Sequence, residues 1–299
     1  MKIFRHNQHL NNEDNETLRN RHNFYIFTFN KTKSSKMKGL IIFSAGMLIC
    51  VTLLANNRFS SLPQVKQLKQ KYNINFVTDS FNGGEYALSW ASWTTPEESD
   101  STDFIEFIRV FSEEWNKYPL AWIQVNKLKN IVFVKNLKVT HQLRFAMPDP
   151  YDETLYYDME YLIYGEEYVR EMIHHEFWHD IEEQQFGDMY YKNSTWCSYN
   201  IEGFKYGSGG STAYDDGEYT YGEHPRKGFV TTYSVYGEEE DRAELYCWFF
   251  TSRTWNLLTT WIIEDRVLRK KYNWMLSFIS GLVPEMNVDY FKKINTLED

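Results

Sequence analysis

Apolar residues recur along this chain at two periods, helical spacing in some segments and short runs of β-branched and aromatic residues in others, which predicts an α+β domain. Residues 62–72 and 102–117 carry the helical spacing, whereas 74–78, 85–90, 131–135 and 142–147 read as strands. Residues 165–186 run GEEYVREMIHHEFWHDIEEQQF, with no proline and with acids in the first turn, and this predicts one long helix. Its apolar residues Val169, Met172, Ile173, Phe177, Trp178 and Ile181 surround much of the cylinder, so burial on several sides is expected. A second helix is expected to start near Glu240, and 255–281 has the spacing of one or two helices packed behind it. The resulting expectation is an α+β fold with a mixed sheet, a central long helix and a helical C-terminal part, with strand order left open.

One apolar run stands apart from this pattern. Residues 40–55, LIIFSAGMLICVTLLA, follow Lys31, Lys33, Lys36 and Lys38. The run is slightly short for a membrane span and suits the apolar core of a signal peptide. Flanking lysines stay on the cytoplasmic side, so the following domain is expected to be exported, either secreted or membrane-attached. The chain divides on this basis into a polar tail at 1–36, a signal peptide or membrane anchor at 37–56 and a domain at 57–299. Translation from Met37 gives an ordinary signal sequence, and translation from Met1 gives an uncleaved anchor. Cys50 invites a lipidated reading, although Ile49 is bulkier than the small residues that usually precede such a cysteine.

The long helix carries polar groups that burial must compensate. His175, Glu176 and His179 form H-E-x-x-H, and a spacing of four puts both imidazoles on one face, near enough to share a tetrahedral zinc. Glu176 on the same face is then the expected base, taking a proton from a zinc-bound water as that water attacks a carbonyl. His174 points elsewhere and is expected to pack or to support the site. A catalytic zinc takes a third protein ligand and keeps one position open. A continuation with Gly at 182 and His at 185 would supply a third histidine, but Glu182 and Gln185 stand there. The expected third ligand is Glu240. Glu244, one turn later, is expected to hold the outer nitrogen of a ligating histidine, most simply His175, with Cys247 and Thr251 continuing that face. Tyr233 is placed to donate its hydroxyl to the oxyanion of the transition state. Asp215, Asp216, Glu218 and His224 are rival ligands in the Gly- and Tyr-rich stretch between the two motifs, and Thr212-x-x-Asp215 approaches another zinc pattern. A stretch that long is expected to form one wall or rim of a cleft.

Taken together, HHEFWH, GFVTTY and EDRAE resemble the bacterial zinc-binding metallopeptidases of the gluzincin type, in which H-E-x-x-H is followed by a distant glutamate. The order Y-x6-E-x3-E is also similar to that in the catalytic domain of anthrax lethal factor. The resemblance implies a zincin-like fold, a zinc cofactor held by His175, His179 and Glu240, Glu176 as base, Tyr233 as transition-state tyrosine and Glu244 behind the ligands. It implies a peptide or protein substrate, hydrolysed as by a metalloendopeptidase. A non-catalytic zinc-containing binding or scaffold module at the cell surface, and a zinc hydrolase of a non-peptide amide, are the alternatives.

Composition narrows the partners. The 299 residues carry a formal charge of −9, which argues against nucleic acid. Aromatics make up 18%, with 22 Tyr and 10 Trp, and these rings are expected mainly to build the core. Cys197 and Cys247 are expected as two small buried thiols rather than a disulfide.

Overall fold

The computed structural model describes residues 59–215 and 220–296, apart from the side chains of Tyr214 and Asp215. The apolar run at 40–55 lies outside them, and none of the described helices is long and apolar enough to cross a membrane. In chain order the elements are α1 (Pro63–Tyr72), β1 (Asn75–Val77), α2 (Glu85–Trp90), β2 (Ala91–Thr94), α3 (Ser101–Trp115), α4 (Leu120–Val125), β3 (Asn130–Val139), β4 (Gln142–Leu143), β5 (Ala146–Asp149) and β6 (Thr154–Asp158). They continue with α5 (Glu166–Phe186), α6 (Ser194–Tyr199), α7 (Ser211–Asp215), α8 (Glu238–Cys247), α9 (Ser252–Glu264), α10 (Arg266–Leu282) and α11 (Val288–Thr296). This is the mixed α+β arrangement that the periodicity predicts.

The sheet is built on β3. Its first half pairs in parallel with β1 and β6, its second half pairs antiparallel with β2 and β4, and β5 closes the other side as an antiparallel neighbour of β6. Asn136, at φ 52°, marks the change of partners along β3. The uninterrupted apolar run Ile131-Val132-Phe133-Val134 is buried because both faces of the sheet are covered. Ile131 and Phe133 enter the main core with α3 and α5, while Val132 and Val134 enter a smaller cluster with Ala87 of α2.

Two expected strands differ. Residues 85–90 form helix α2, because Tyr86 and Trp90 are four apart and stack edge to face at 5.0 Å on one side of it. A six-residue apolar run fits either period, and packing over β3 selects the helix. Residues 142–147 split into β4 and β5, because the chain leaves β3 at Leu143 and joins β6 from Ala146.

Helix α5 runs through the centre of the main core. It starts after Gly165 at φ 104° and ends at Gly187, whose left-handed φ of 76° lets its N–H reach the Glu183 carbonyl at 2.8 Å. Tyr157 of β6 donates to the Ile173 carbonyl at 3.0 Å and ties the helix to the sheet. Phe177 packs on Trp115 and Tyr118, and Trp178 packs on Tyr246 and Phe278. His174 points away from the other histidines. Its Nε2 donates to Glu114 at 2.9 Å, leaving Nδ1 to accept from the Tyr118 hydroxyl at 2.5 Å, and its ring stacks on Phe250.

Glu114 is fully buried and also meets Arg170 at 2.5 Å and Lys117 at 2.8 Å. Burial alone pushes its pKa up, but His174 and Lys117 outweigh burial and hold it at about 2, below the ordinary 4.5. The carboxylate therefore stabilises the fold fully above about pH 4.5, and the contribution is lost as pH falls toward 2. Glu114→Ala is expected to lower unfolding free energy by about 3 kcal/mol at neutral pH, because it removes the carboxylate that buried His174 and half-buried Lys117 and Arg170 share. Denaturant titrations of variant and parent at several pH values should converge as the pH drops through that window.

Candidate metal centre

His175 and His179 sit one turn apart on α5, with ring centroids 5.1 Å apart, and Glu240 enters from the first turn of α8. Glu240 Oε2 lies 3.1 Å from His175 Nε2 and 3.5 Å from His179 Nε2. One donor atom from each residue falls within 4.8 Å of the other two. Two imidazoles and a carboxylate at this separation form a donor set suited to zinc. The structure thus brings together the three residues that sequence spacing singles out.

Burial disfavours charge on both histidines, yet their pKa values are raised by the groups around them, chiefly Cys247 and Glu240 for His175 and Glu240 for His179. Glu240 shows the opposite balance, since burial is outweighed by hydrogen bonds from both histidines and its carboxyl falls far below the usual range. A cation entering this set must displace protons, so its binding weakens as pH falls. Glu176 lies beside the trio in the same cleft, and burial raises its pKa despite the nearby histidines.

A second layer fixes the donors. Glu244 Oε1 is 2.8 Å from His175 Nδ1, a close contact but one poorly aligned for a hydrogen bond. Thr231 donates to the other Glu244 oxygen at 2.7 Å. Tyr233, on the short turn before α8, donates to Glu240 Oε1 at 3.3 Å, and its ring centroid is 6.0 Å from that of His175. Asp241 next to Glu240 accepts from Lys271 at 2.7 Å, Trp196 at 2.8 Å and Tyr206 at 2.6 Å, which anchors α8 to α10 and α6.

Of the rival ligands, His224 does not join this cluster. His224 stacks on Trp261 and lies 3.1 Å from Asp265, in a separate depression. Asp216, Glu218 and the Asp215 side chain lie outside the described residues. Cys247 is buried as expected, whereas Cys197 is exposed because short helix α6 turns it outward beside Glu238, and both are free thiols. Thr251 lies past the end of α8 rather than on its face.

Sequence reasoning missed the glycine segment 207–210. Gly207 and Gly209 donate their N–H groups to Val235 and Tyr236 at 3.0 and 2.8 Å, which pins the segment against the turn carrying Tyr233. A Cβ on Gly210 would stand 1.9 Å from Glu240 Oε1 and 2.2 Å from the Tyr233 hydroxyl. Only a bare backbone fits there. The run S-G-G-S was the available signal, but nothing local tells which element it presses against.

The cleft above the trio encloses about 1750 Å³. One side is formed by residues 142–148, including β5; the stretch between the motifs supplies 206–211 and Tyr221 to the rim, as expected, and Tyr190 and Lys192 ahead of it also line the cleft. Trp90, Leu143, Tyr164, Tyr190 and Tyr221 line it while remaining exposed.

No family model matches this chain, and no curated protein matches it. Among solved structures it is similar to a Bacteroides caccae protein described as a "putative zinc-binding metallo-peptidase", at 14% identity over 89% of this chain and 94% of that one, with a TM-score of 0.49.

Gly210→Ala is expected to lower the affinity of this donor set for added Zn²⁺ by about tenfold or more, through displacement of Glu240 and Tyr233. Gly222→Ala, whose Cβ meets only the Thr232 methyl at 3.6 Å, is expected to leave it unchanged. Competition against a chelating dye measures both.

Proposed function

We propose that this protein is a zinc-dependent hydrolase of peptide bonds, an endopeptidase with its centre at His175, His179 and Glu240. The observation that carries the reading is a three-donor cluster lining an open cleft, with Glu176 beside it and, along its side, a strand edge that has no strand partner among the described residues. Three protein donors leave a coordination position for chemistry, which favours a catalytic site over a closed structural one. Zinc bound there would supply Lewis acidity, polarising a substrate carbonyl and acidifying water.

The remaining work falls to side chains of this chain. Glu176, with its raised pKa, accepts a proton from the attacking water and returns it to the departing amine. The Tyr233 hydroxyl turns from Glu240 to the carbonyl oxygen as negative charge develops on it. Glu244 orients His175, and the Gly207–Gly210 backbone keeps Glu240 in place.

Strand β5 supports a peptide as the substrate. Its inner edge pairs with β6, its outer edge has no strand partner among the described residues, and its residues Ala146, Met147 and Pro148 line the cleft. An extended peptide laid along that edge gains main-chain hydrogen bonds, while the aromatic rim receives its side chains. The lysine-flanked run at 40–55 supports export and attachment of the domain to a membrane.

Glu176→Gln is expected to lower turnover by about 10²–10⁴-fold with zinc retained, as for loss of a general base. Tyr233→Phe should cost about 10²-fold in kcat with zinc affinity intact, and Glu240→Ala should lose the metal itself. Zinc analysis and peptide-library cleavage on the full chain and these variants test the assignment. Undiminished cleavage by Glu176→Gln overturns the base, and zinc bound with no cleavage of any peptide overturns the peptidase in favour of a binding module.

A further inference from the structure

Behind the proposed centre lies a second set of donors that this reading uses only to hold His175. Glu244 and Cys247 are three apart on α8, a spacing that turns both side chains toward the same neighbour, and that neighbour is His175 of α5. One atom from each of His175, Glu244 and Cys247 lies within 4.8 Å of the other two, and all three residues are buried. His175 Nδ1 has no well-aligned hydrogen bond, although Glu244 Oε1 is only 2.8 Å away. The Cys247 sulfur is turned inward, 3.2 Å from the Glu244 carbonyl oxygen, and is not in a disulfide. Thr231 donates to Glu244 Oε2 at 2.7 Å and so holds the carboxylate with Oε1 toward the imidazole.

We propose that His175 Nδ1, Glu244 and Cys247 form a second cation site, distinct from the His175, His179 and Glu240 centre and selective for zinc-like or softer divalent ions. Nitrogen, carboxylate and sulfur donors favour Zn²⁺, Co²⁺ and Cd²⁺ over Mg²⁺ or Ca²⁺, which require oxygen. Glu244 lines the cleft, so an ion reaches the site from the same opening. With His175 Nε2 held by the first ion, entry of the second releases one proton from the Cys247 thiol and one from His175 Nδ1, leaving a thiolate and an imidazolate that binds through both nitrogens. His175 then joins the two sites through its two nitrogens, and occupancy behind it alters the donor offered in front. The proposal rests on the reading of the first centre only in that both share His175.

Titration of the metal-free full chain with Co²⁺, and in parallel with Cd²⁺, separates the two sites. Two ions per chain are expected, with a thiolate-to-metal charge-transfer band in the ultraviolet belonging to one of them. Cys247→Ser and Cys247→Ala should abolish the band and lower that ion's affinity by about tenfold or more while one ion remains, whereas Cys50→Ser and Cys197→Ser should leave the band unchanged. His179→Ala should remove the other ion and keep the band. One ion without a band overturns the second site and leaves the first centre standing. A band that survives in both Cys247 variants also overturns it. A band with one ion, lost in Cys247→Ser but kept in His179→Ala and Glu240→Ala, upholds the second site and removes the first. Absence of any bound ion overturns both.

Discussion

The rest of the molecule is organised around a helix that ought not to be buried. Helix α8 reads EEEDRAELYC, and each of its ten residues is inaccessible or nearly so, including five carboxylates and an arginine. A buried charge without a partner costs about 3–5 kcal/mol when its counterpart is removed, so each group must find a partner. Glu238 receives Arg242 and the Asn193 N–H, Glu239 receives Lys192, Asp241 receives Lys271, and Arg242 is shared with Glu182 of α5. Glu240 and Glu244 are met by histidines. Helices α5, α6 and α10 are thereby held at set distances from α8, and the candidate centre is one consequence of that requirement.

The opposite side of α5 is held by other means. Aromatic rings pack there, and two of the buried polar groups among them, His174 and Glu114, satisfy each other together with Tyr118, Arg170 and Lys117. Helix α5 is thus gripped by charge along one face and by ring packing along another. Side chains projecting from a helix so constrained have little freedom, which is the condition for presenting two imidazoles to one small ion with sub-ångström tolerance.

The aromatic residues divide their work according to position. Trp115, Trp122, Trp178, Trp196 and Trp248 are fully buried and supply most of the volume that the modest aliphatic content leaves unfilled. Trp90, Tyr164, Tyr190 and Tyr221 remain exposed at the cleft, where a flat ring with a polar end suits contact with a ligand better than an aliphatic chain. Composition alone pointed to the first role, and the second emerges only when α2, β5 and the segments after α5 are brought to the same opening.

How much of this was legible depends on range along the chain. Helical spacing placed His175, Glu176 and His179 on one face, acids in the first turn marked the start of α5, and the same four-residue rule put Glu240 and Glu244 on one side of α8, because a helix repeats its faces every few residues whatever surrounds it. The apolar run at 131–135 likewise read as a strand, and its burial on both faces was added by the structure. Residues 85–90 read as a strand and form helix α2, since six residues fit two periods and packing over β3 makes the choice. Cys247 shares its face with Glu244 by spacing, yet its closeness to His175 required α8 to dock on α5 from more than sixty residues away. The place of Gly210 against Glu240 and Tyr233, and the outward turn of Cys197, were decided by contacts between segments that no local pattern connects. Sequence determined which groups each element could offer, and tertiary structure decided which of them meet, because a partner is chosen by the docking of whole elements rather than by the residues alongside.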